Sequence, residues 1–377
     1  MSKPSGRRSR RANVASALVL VAAGAAWAGG NPLAAGAVEA PPTCFGMPAT
    51  IVGTTGDDVL AGTTGDDVIV GLEGTDVINT TNTTSDTDRV CAGPNALSVD
   101  VDGVPRYERV IGGSYVDGGP GLDRIETSLP EQILGGSNPT VVDDQGRRWP
   151  ERILVDQAEN VEIIGGDGPD QVDVGLVEEG GVAEVDAGAG HDVVNCFGDD
   201  WGGRCELYGG RGVGNDRLRG TSASRVNVFG GDGNDVLSAA NFTDNELDGG
   251  SDNDALWSSY GESETLRGGS GRDRLTANGQ YSVNFLGPHI LQGGTGDDYL
   301  VGHGAPERFG GGAGTDVVHA GGGNDTAWGG TGADRLGGAS GRDHLFGESG
   351  NDANFGGPGS DLCRSPQSGP RAPSCER

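Results

Sequence analysis

The chain has 377 residues, enough for two ordinary domains or one long solenoid. Glycine fills 73 positions and Asp plus Glu outnumber Lys plus Arg by 55 to 26, a formal net charge of −29. That balance argues against nucleic acid or an anionic membrane surface as partner and suits a cation-binding protein; because Lys3 is the only lysine, motifs built on a catalytic or phosphate-binding lysine are excluded from the rest of the chain.

Residues 1–37 read as a secretory signal peptide. Lys3, Arg7, Arg8, Arg10 and Arg11 form a positive n-region, Val14 to Ala28 an apolar core, and Ala35-Gly36-Ala37 a small-residue cleavage site. Ser9-Arg10-Arg11 hints at twin-arginine export beside the general secretory route. The apolar run is short for a spanning helix, which needs about 20 residues, and no later segment is apolar for long enough to cross a bilayer. The expectation is a secreted, extracellular protein without a membrane span after cleavage; an uncleaved N-terminal anchor is the rival.

Residues 41–92 read as an N-terminal cap with three repeats in phase, GTTGDDVLA, GTTGDDVIV and GLEGTDVIN. Their sixth positions are Asp58, Asp67 and Asp76, each two residues before an apolar residue: Leu60, Ile69 and Ile78. Thr or Leu replaces the second glycine, so ion ligation or a bare β-cap are both open here. From 93 to 164 the phase is lost. One good copy, GGPGLDRIE with Asp123, sits among short strand-like runs, read as irregular β-solenoid coils with longer loops. The loop DDQGRRWPE at 143–151 is the main surface feature outside the repeats, and its Arg147, Arg148 and Trp149 have the chemistry to stack on a sugar.

Residues 165–276 read as a degenerate β-roll whose acids are Asp170, Asp192, Asp216, Asp235, Asp254 and Asp273. The last four are 19 apart, as if one half of each coil keeps the motif and the other has lost it and gained a residue. Asp252 replaces the fourth-position glycine in GGSDNDALW, which puts that turn in question.

Residues 277–363 carry the strictest pattern, Gly-Gly-x-Gly-x-Asp-x-U-x with U a large apolar residue. Its acids are Asp298, Asp316, Asp325, Asp334, Asp343, Asp352 and Asp361, with Glu307 midway between the first two, a spacing of nine throughout. Two units make a coil of 18 residues, and coils stack at the strand spacing of about 4.8 Å. Equivalent aspartates 18 apart then face each other. Such a row repels itself unless a cation intervenes, and carboxylates with turn carbonyls supply the six to eight hard oxygens that Ca²⁺ prefers. The apolar positions Leu218, Leu237, Leu256, Leu275, Leu300, Val318, Ala327, Leu336 and Leu345 form one thin inward ladder, so bound ions are expected to contribute to folding directly. Residues 364–377 read as a C-terminal cap.

Six cysteines, an even number, suit an oxidising compartment. In a solenoid each repeat touches only its neighbours, which pairs Cys196 with Cys205 and Cys363 with Cys375. Pairing Cys44 with Cys91 requires the N-terminal cap to fold back.

These repeats resemble the hemolysin-type calcium-binding repeats of the RTX family, strictly over 293–363 and loosely back to Gly53. The resemblance implies an all-β parallel β-roll with several Ca²⁺ ions between its turns. The zinc protease and the lipase that often accompany such repeats are not found, because the chain has neither HExxH nor GxSxG; P-loop and Rossmann fingerprints are absent too. The five histidines read as surface residues at variable repeat positions. Two readings follow. In the first, the chain is a secreted calcium-binding repeat protein, not an enzyme, with a structural or adhesive role and a cell-surface glycan or another surface protein as partner. In the second, it is a polysaccharide-active β-helix enzyme or lectin with a groove in 93–164.

Overall fold

A stretch with one inward apolar residue per turn and glycine between turns cannot close a globular core, so each coil buries its apolar side against the coils above and below. The computed structural model describes residues 40–80, 87–93, 108–111, 115–117, 123–128, 132–134, 151–158, 160–166, 168–176, 181–198, 203–210, 212–240, 244–259, 263–278, 288–365 and 375. The expected signal peptide, 1–37, lies outside them.

Among the described residues the chain forms two long sheets of fifteen and sixteen strands. Each coil gives one strand to each sheet, and neighbouring strands are parallel, as between Leu266 and Leu291 or Leu275 and Leu300. The fifteen-stranded sheet runs from Val59–Ala61 to Ala353–Phe355, the sixteen-stranded sheet from Ile51–Val52 to Leu362–Arg364. The stretch 93–164, read as irregular β-solenoid coils without the nine-residue phase, does form such coils: its described strands continue both sheets in register. Residues 143–150, including Arg147, Arg148 and Trp149, lie outside the described residues.

The single inward ladder expected from the sequence is two facing rows. Leu218, Leu237, Leu256, Leu275, Leu300, Val318 and Leu336 are in register in one sheet. Ala327 and Leu345 belong to the other sheet, in a row with Leu291, Phe309 and Cys363. The reason is the period of nine: consecutive repeats fall on opposite sides of an 18-residue coil. Where coils are longer, strands lengthen and bury more than one residue each, as in Asp170–Leu176 with Val172, Val174 and Leu176. The core is thus widest in the middle of the roll and one residue deep per strand at its C-terminal end.

Each end carries a disulfide. At the N-terminus an antiparallel hairpin, Thr43–Cys44 with Met47–Pro48, packs Cys44 against Val68 and Val70. Cys91 lies beside Val70 in the next strand, so the Cys44–Cys91 disulfide closes without spanning several repeats. At the C-terminus Asn354 takes the slot of the inward leucines and donates from Nδ2 to the Arg364 carbonyl at 3.2 Å. The Cys363–Cys375 disulfide ties down the tail. The third disulfide, Cys196–Cys205, joins the two sheets across the interior, with both cysteines fully buried. Replacing both by alanine removes a short loop closure and is expected to cost about 2–3 kcal/mol. Chemical denaturation of the folded protein checks this, and an unchanged midpoint would show that packing alone holds the widest coils.

Candidate metal centre

The turn that enters each strand of the fifteen-stranded sheet places an acid two residues before the inward apolar residue. Register stacks these acids in one row: Asp58, Asp76, Glu108, Asp123, Glu151, Asp170, Asp192, Asp216, Asp235, Asp254, Asp273, Asp298, Asp316, Asp334 and Asp352. For Glu108, Asp123 and Glu151 this is a statement of backbone register alone, and the Asp123 side chain lies outside the described residues. Glu108 and Glu151 were missed in the sequence, because no glycine pattern marks their turns.

A second row stands at the turns entering the sixteen-stranded sheet. It begins with Asp67 and Asp88, becomes apolar at Val161, Ala183, Cys205 and Val226, turns polar at Asn245 and Glu264, and continues through His289, Glu307, Asp325, Asp343 and Asp361. The half-coils that lost the motif are therefore real, and over 161–226 they are bare turns. Asp88 was also missed; its only signal is the Asp-x-apolar triplet Asp88-Arg89-Val90.

One interaction repeats along both rows. The backbone N–H of each acid donates to Oδ1 of the equivalent acid one coil later. It links Asp58 to Asp76, Asp170 to Asp192, Asp192 to Asp216, and then Asp235, Asp254, Asp273, Asp298, Asp316, Asp334 and Asp352 in turn, at 2.7–3.2 Å. The second row has the same links from Asp67 to Asp88 and from Glu307 through Asp325 and Asp343 to Asp361.

That satisfies one oxygen of each carboxylate. The other, Oδ2, is buried and has no hydrogen-bond partner at Asp76, Asp192, Asp235, Asp254, Asp273, Asp298, Asp316, Asp325, Asp334, Asp343 and Asp361. At all of these except Asp192 and Asp325, whose turns open on Ala187 and Ala320, it points into a cradle formed by the first glycine of its own turn. A Cβ on Gly311 would lie 2.4 Å from Asp316 Oδ2 and 2.5 Å from the Gly329 carbonyl oxygen of the next coil, so glycine keeps this space open at that turn. Buried carboxylate oxygens facing backbone carbonyls form an all-oxygen donor set suited to a hard divalent cation, and to Ca²⁺ in particular. Left without a cation they are costly, because a buried unpaired charge is strongly disfavoured.

The first two repeats solve the same problem differently. Thr54 donates from both its backbone N–H and its hydroxyl to Asp58 Oδ2, at 2.5 and 2.8 Å. Thr63 does so for Asp67 Oδ2, at 2.5 and 3.0 Å. The threonines that replace the second glycine therefore cap these carboxylates. At the other end Ser365 donates to Asp352 Oδ2 at 3.1 Å. The questioned turn at Asp252 keeps its shape: Asp252 itself takes φ +75°, a left-handed conformation that aspartate tolerates better than most residues.

Burial, with help from neighbouring carboxylates, pushes the carboxyls of Asp192 and Asp254 up to about 8, Asp216 and Asp316 up to about 7, and Asp76 and Asp298 up to about 6, against the backbone hydrogen bonds that lower them. Burial raises Asp325 as well, with Glu307 and Asp343 adding to it.

One member of the second row breaks the pattern. His289, expected at the surface, is buried in the acid position between Glu264 and Glu307, and burial followed by the charge of His303 lowers it to about 4.

The family model described as RTX calcium-binding nonapeptide repeat (4 copies) matches residues 50–82, 211–245, 258–280, 290–305, 310–345 and 328–363. No curated protein matches the chain.

The raised carboxyls set a pH dependence for the metal-free roll. Their folded values lie above the ordinary carboxylate value near 4, so the stability they contribute is complete below about pH 4 and is lost as pH rises through about 6 to 8. Metal-free protein is expected to hold more β-structure at pH 5 than at pH 8 by far-UV circular dichroism. Equal or reversed stability would show that the rows do not control folding.

Proposed function

We propose that this chain, a protein of RTX calcium-binding nonapeptide repeats on an all-β parallel β-solenoid, is a secreted protein whose roll is ordered by Ca²⁺ outside the cell. The observation that carries the reading is the run of buried carboxylate oxygens without hydrogen-bond partners, nine of the eleven facing the first glycine of their own turn. Extracellular calcium modules work at about 0.1–1 mM, a concentration met outside the cell and not in the cytosol. Export of an unfolded chain followed by ion-driven folding is the route this supports, with 1–37 as the signal. Three disulfides fit the same oxidising compartment.

The ligands we assign are Asp76, Asp192, Asp235, Asp254, Asp273, Asp298, Asp316, Asp325, Asp334, Asp343 and Asp361, with the carbonyls of the adjoining turns. Asp170 and Asp216 stand in the same row and join them. Asp58 and Asp67, capped by threonine, act as structural acids.

The folded rod serves a structural or adhesive role, with a cell-surface glycan or another surface protein as partner. Stacked aromatic pairs on the sixteen-stranded sheet support this, Trp328 with Phe346 and Tyr208 with Phe229. Trp328 is markedly exposed, and Tyr208 and Phe229 line a cavity of about 330 Å³ with Glu162, Glu184 and Asp186.

The test is a Ca²⁺ titration of the protein lacking 1–37, followed by circular dichroism with Mg²⁺ as control. A cooperative gain of β-signal with a midpoint of about 0.1–1 mM is expected; full folding in chelator, unchanged by Ca²⁺, would overturn calcium-driven ordering. Asp316→Asn removes a charge from the row. It is expected to raise the calcium midpoint by on the order of tenfold, about 1.4 kcal/mol, while making the metal-free form more stable at pH 8. A variant that weakens both forms equally would mark Asp316 as a packing residue only.

A further inference from the structure

The second row passes from apolar residues at 161–226 to regular aspartates at 325–361, and at the junction it holds nitrogen in place of oxygen. His289 stands where neighbouring coils place Glu264 and Glu307, and its side chain is buried. His303 lies in the turn leading into Glu307, at the second-glycine position of the degraded repeat Gly302-His303-Gly304-Ala305-Pro306-Glu307. Donor atoms of His289, His303 and Glu307 all lie within 4.8 Å of one another. The two imidazole rings are 5.1 Å apart and edge to face. His303 Nδ1 is 2.5 Å from Glu307 Oε1. Glu307 Oε2 is buried, has no hydrogen-bond partner and points into the turn at Gly302.

The geometry points to a site for a borderline divalent transition cation, best matched by Zn²⁺, held by His289, His303 and Glu307. Two imidazoles and one carboxylate suit zinc and are poor ligands for calcium, which takes oxygen donors. Tetrahedral zinc at about 2.0–2.1 Å sets its ligands roughly 3.3 Å apart, somewhat inside the 4.8 Å that bounds these donor atoms now. Three protein ligands leave a fourth position for water.

The backbone already holds this arrangement. Gly322 N–H donates to the His303 carbonyl from the next coil. Glu307 N–H donates to Asp325 Oδ1 at 2.9 Å, which fixes Glu307 at the head of the calcium-type row. The cation would sit at the point where the row changes character, in the turn position where the following coils keep their carboxylates.

The site does not depend on the calcium reading, and its test separates the two. Full-length protein without residues 1–37 is stripped with chelator, refolded in saturating Ca²⁺ and titrated with Co²⁺ at neutral pH, then with Zn²⁺. A single equivalent of Co²⁺ is expected to bind with the visible absorption of a tetrahedral nitrogen–oxygen site, and Zn²⁺ is expected to displace it. His303→Ala lies in a turn, and His289→Asp restores the acid of the row. Both are expected to keep calcium-linked β-structure while cobalt binding weakens by about 100-fold or more, at least the loss seen when a supporting residue of a metal site is removed. Absence of a stoichiometric cobalt site in the Ca²⁺-loaded protein would overturn the assignment, as would unchanged affinity in His303→Ala. Circular dichroism on the same samples reports calcium folding separately, so a failed zinc site leaves that result standing.

Discussion

Everything in this roll depends on how carboxylates are stacked in register one coil apart. In the regular part of the main row each aspartate accepts the N–H of the preceding aspartate on Oδ1 and so has one oxygen satisfied, while the other is buried against glycine. A row of buried like charges cannot persist unaided, because the interior neither solvates nor screens them. A cation between turns, a proton on each carboxyl, a hydroxyl donor, or loss of the acid are the physical ways out.

The molecule uses several of these along its length. Thr54 and Thr63 supply hydroxyls to Asp58 and Asp67 near the N-terminus. The second row drops its acids altogether at Val161, Ala183, Cys205 and Val226, and there the coils gain apolar burial instead. From Asp235 onward the main row keeps both acid and glycine cradle, the arrangement that fits Ca²⁺. Near the junction His289 substitutes imidazole for carboxylate, which changes the kind of cation the row can take. The same backbone register therefore carries different chemistry as the sequence varies around it.

Stability follows the same division. Strands such as Tyr299–Val301 and Val317–His319 bury one side chain each, the thinnest part of the apolar core. The wider middle coils bury several residues per strand and are crossed by the Cys196–Cys205 disulfide. On the reading proposed above, ion dependence would be concentrated where the core is thinnest. The disulfides at Cys44 and Cys375 tie down the described segments nearest the two ends of the roll.

The period of nine, the glycine positions and the inward apolar residues are local features, and they made the parallel roll, most of its acids and two of the three cysteine pairs legible in the sequence. What the sequence hid were matters of register between distant residues. Glu108 and Glu151 fall in the acid row although no glycine motif announces them, since register depends on which inward residue sits over which and not on loop length. The threonine caps, the split of one apolar ladder into two, and the convergence of His289 with Glu307 arise in the same way. Residues 14 or 18 positions apart become neighbours only when one coil lies on another. Local chemistry thus set the repeat, and stacking decided which copies face a cation, which are capped by their own turn, and where nitrogen enters a row of oxygen.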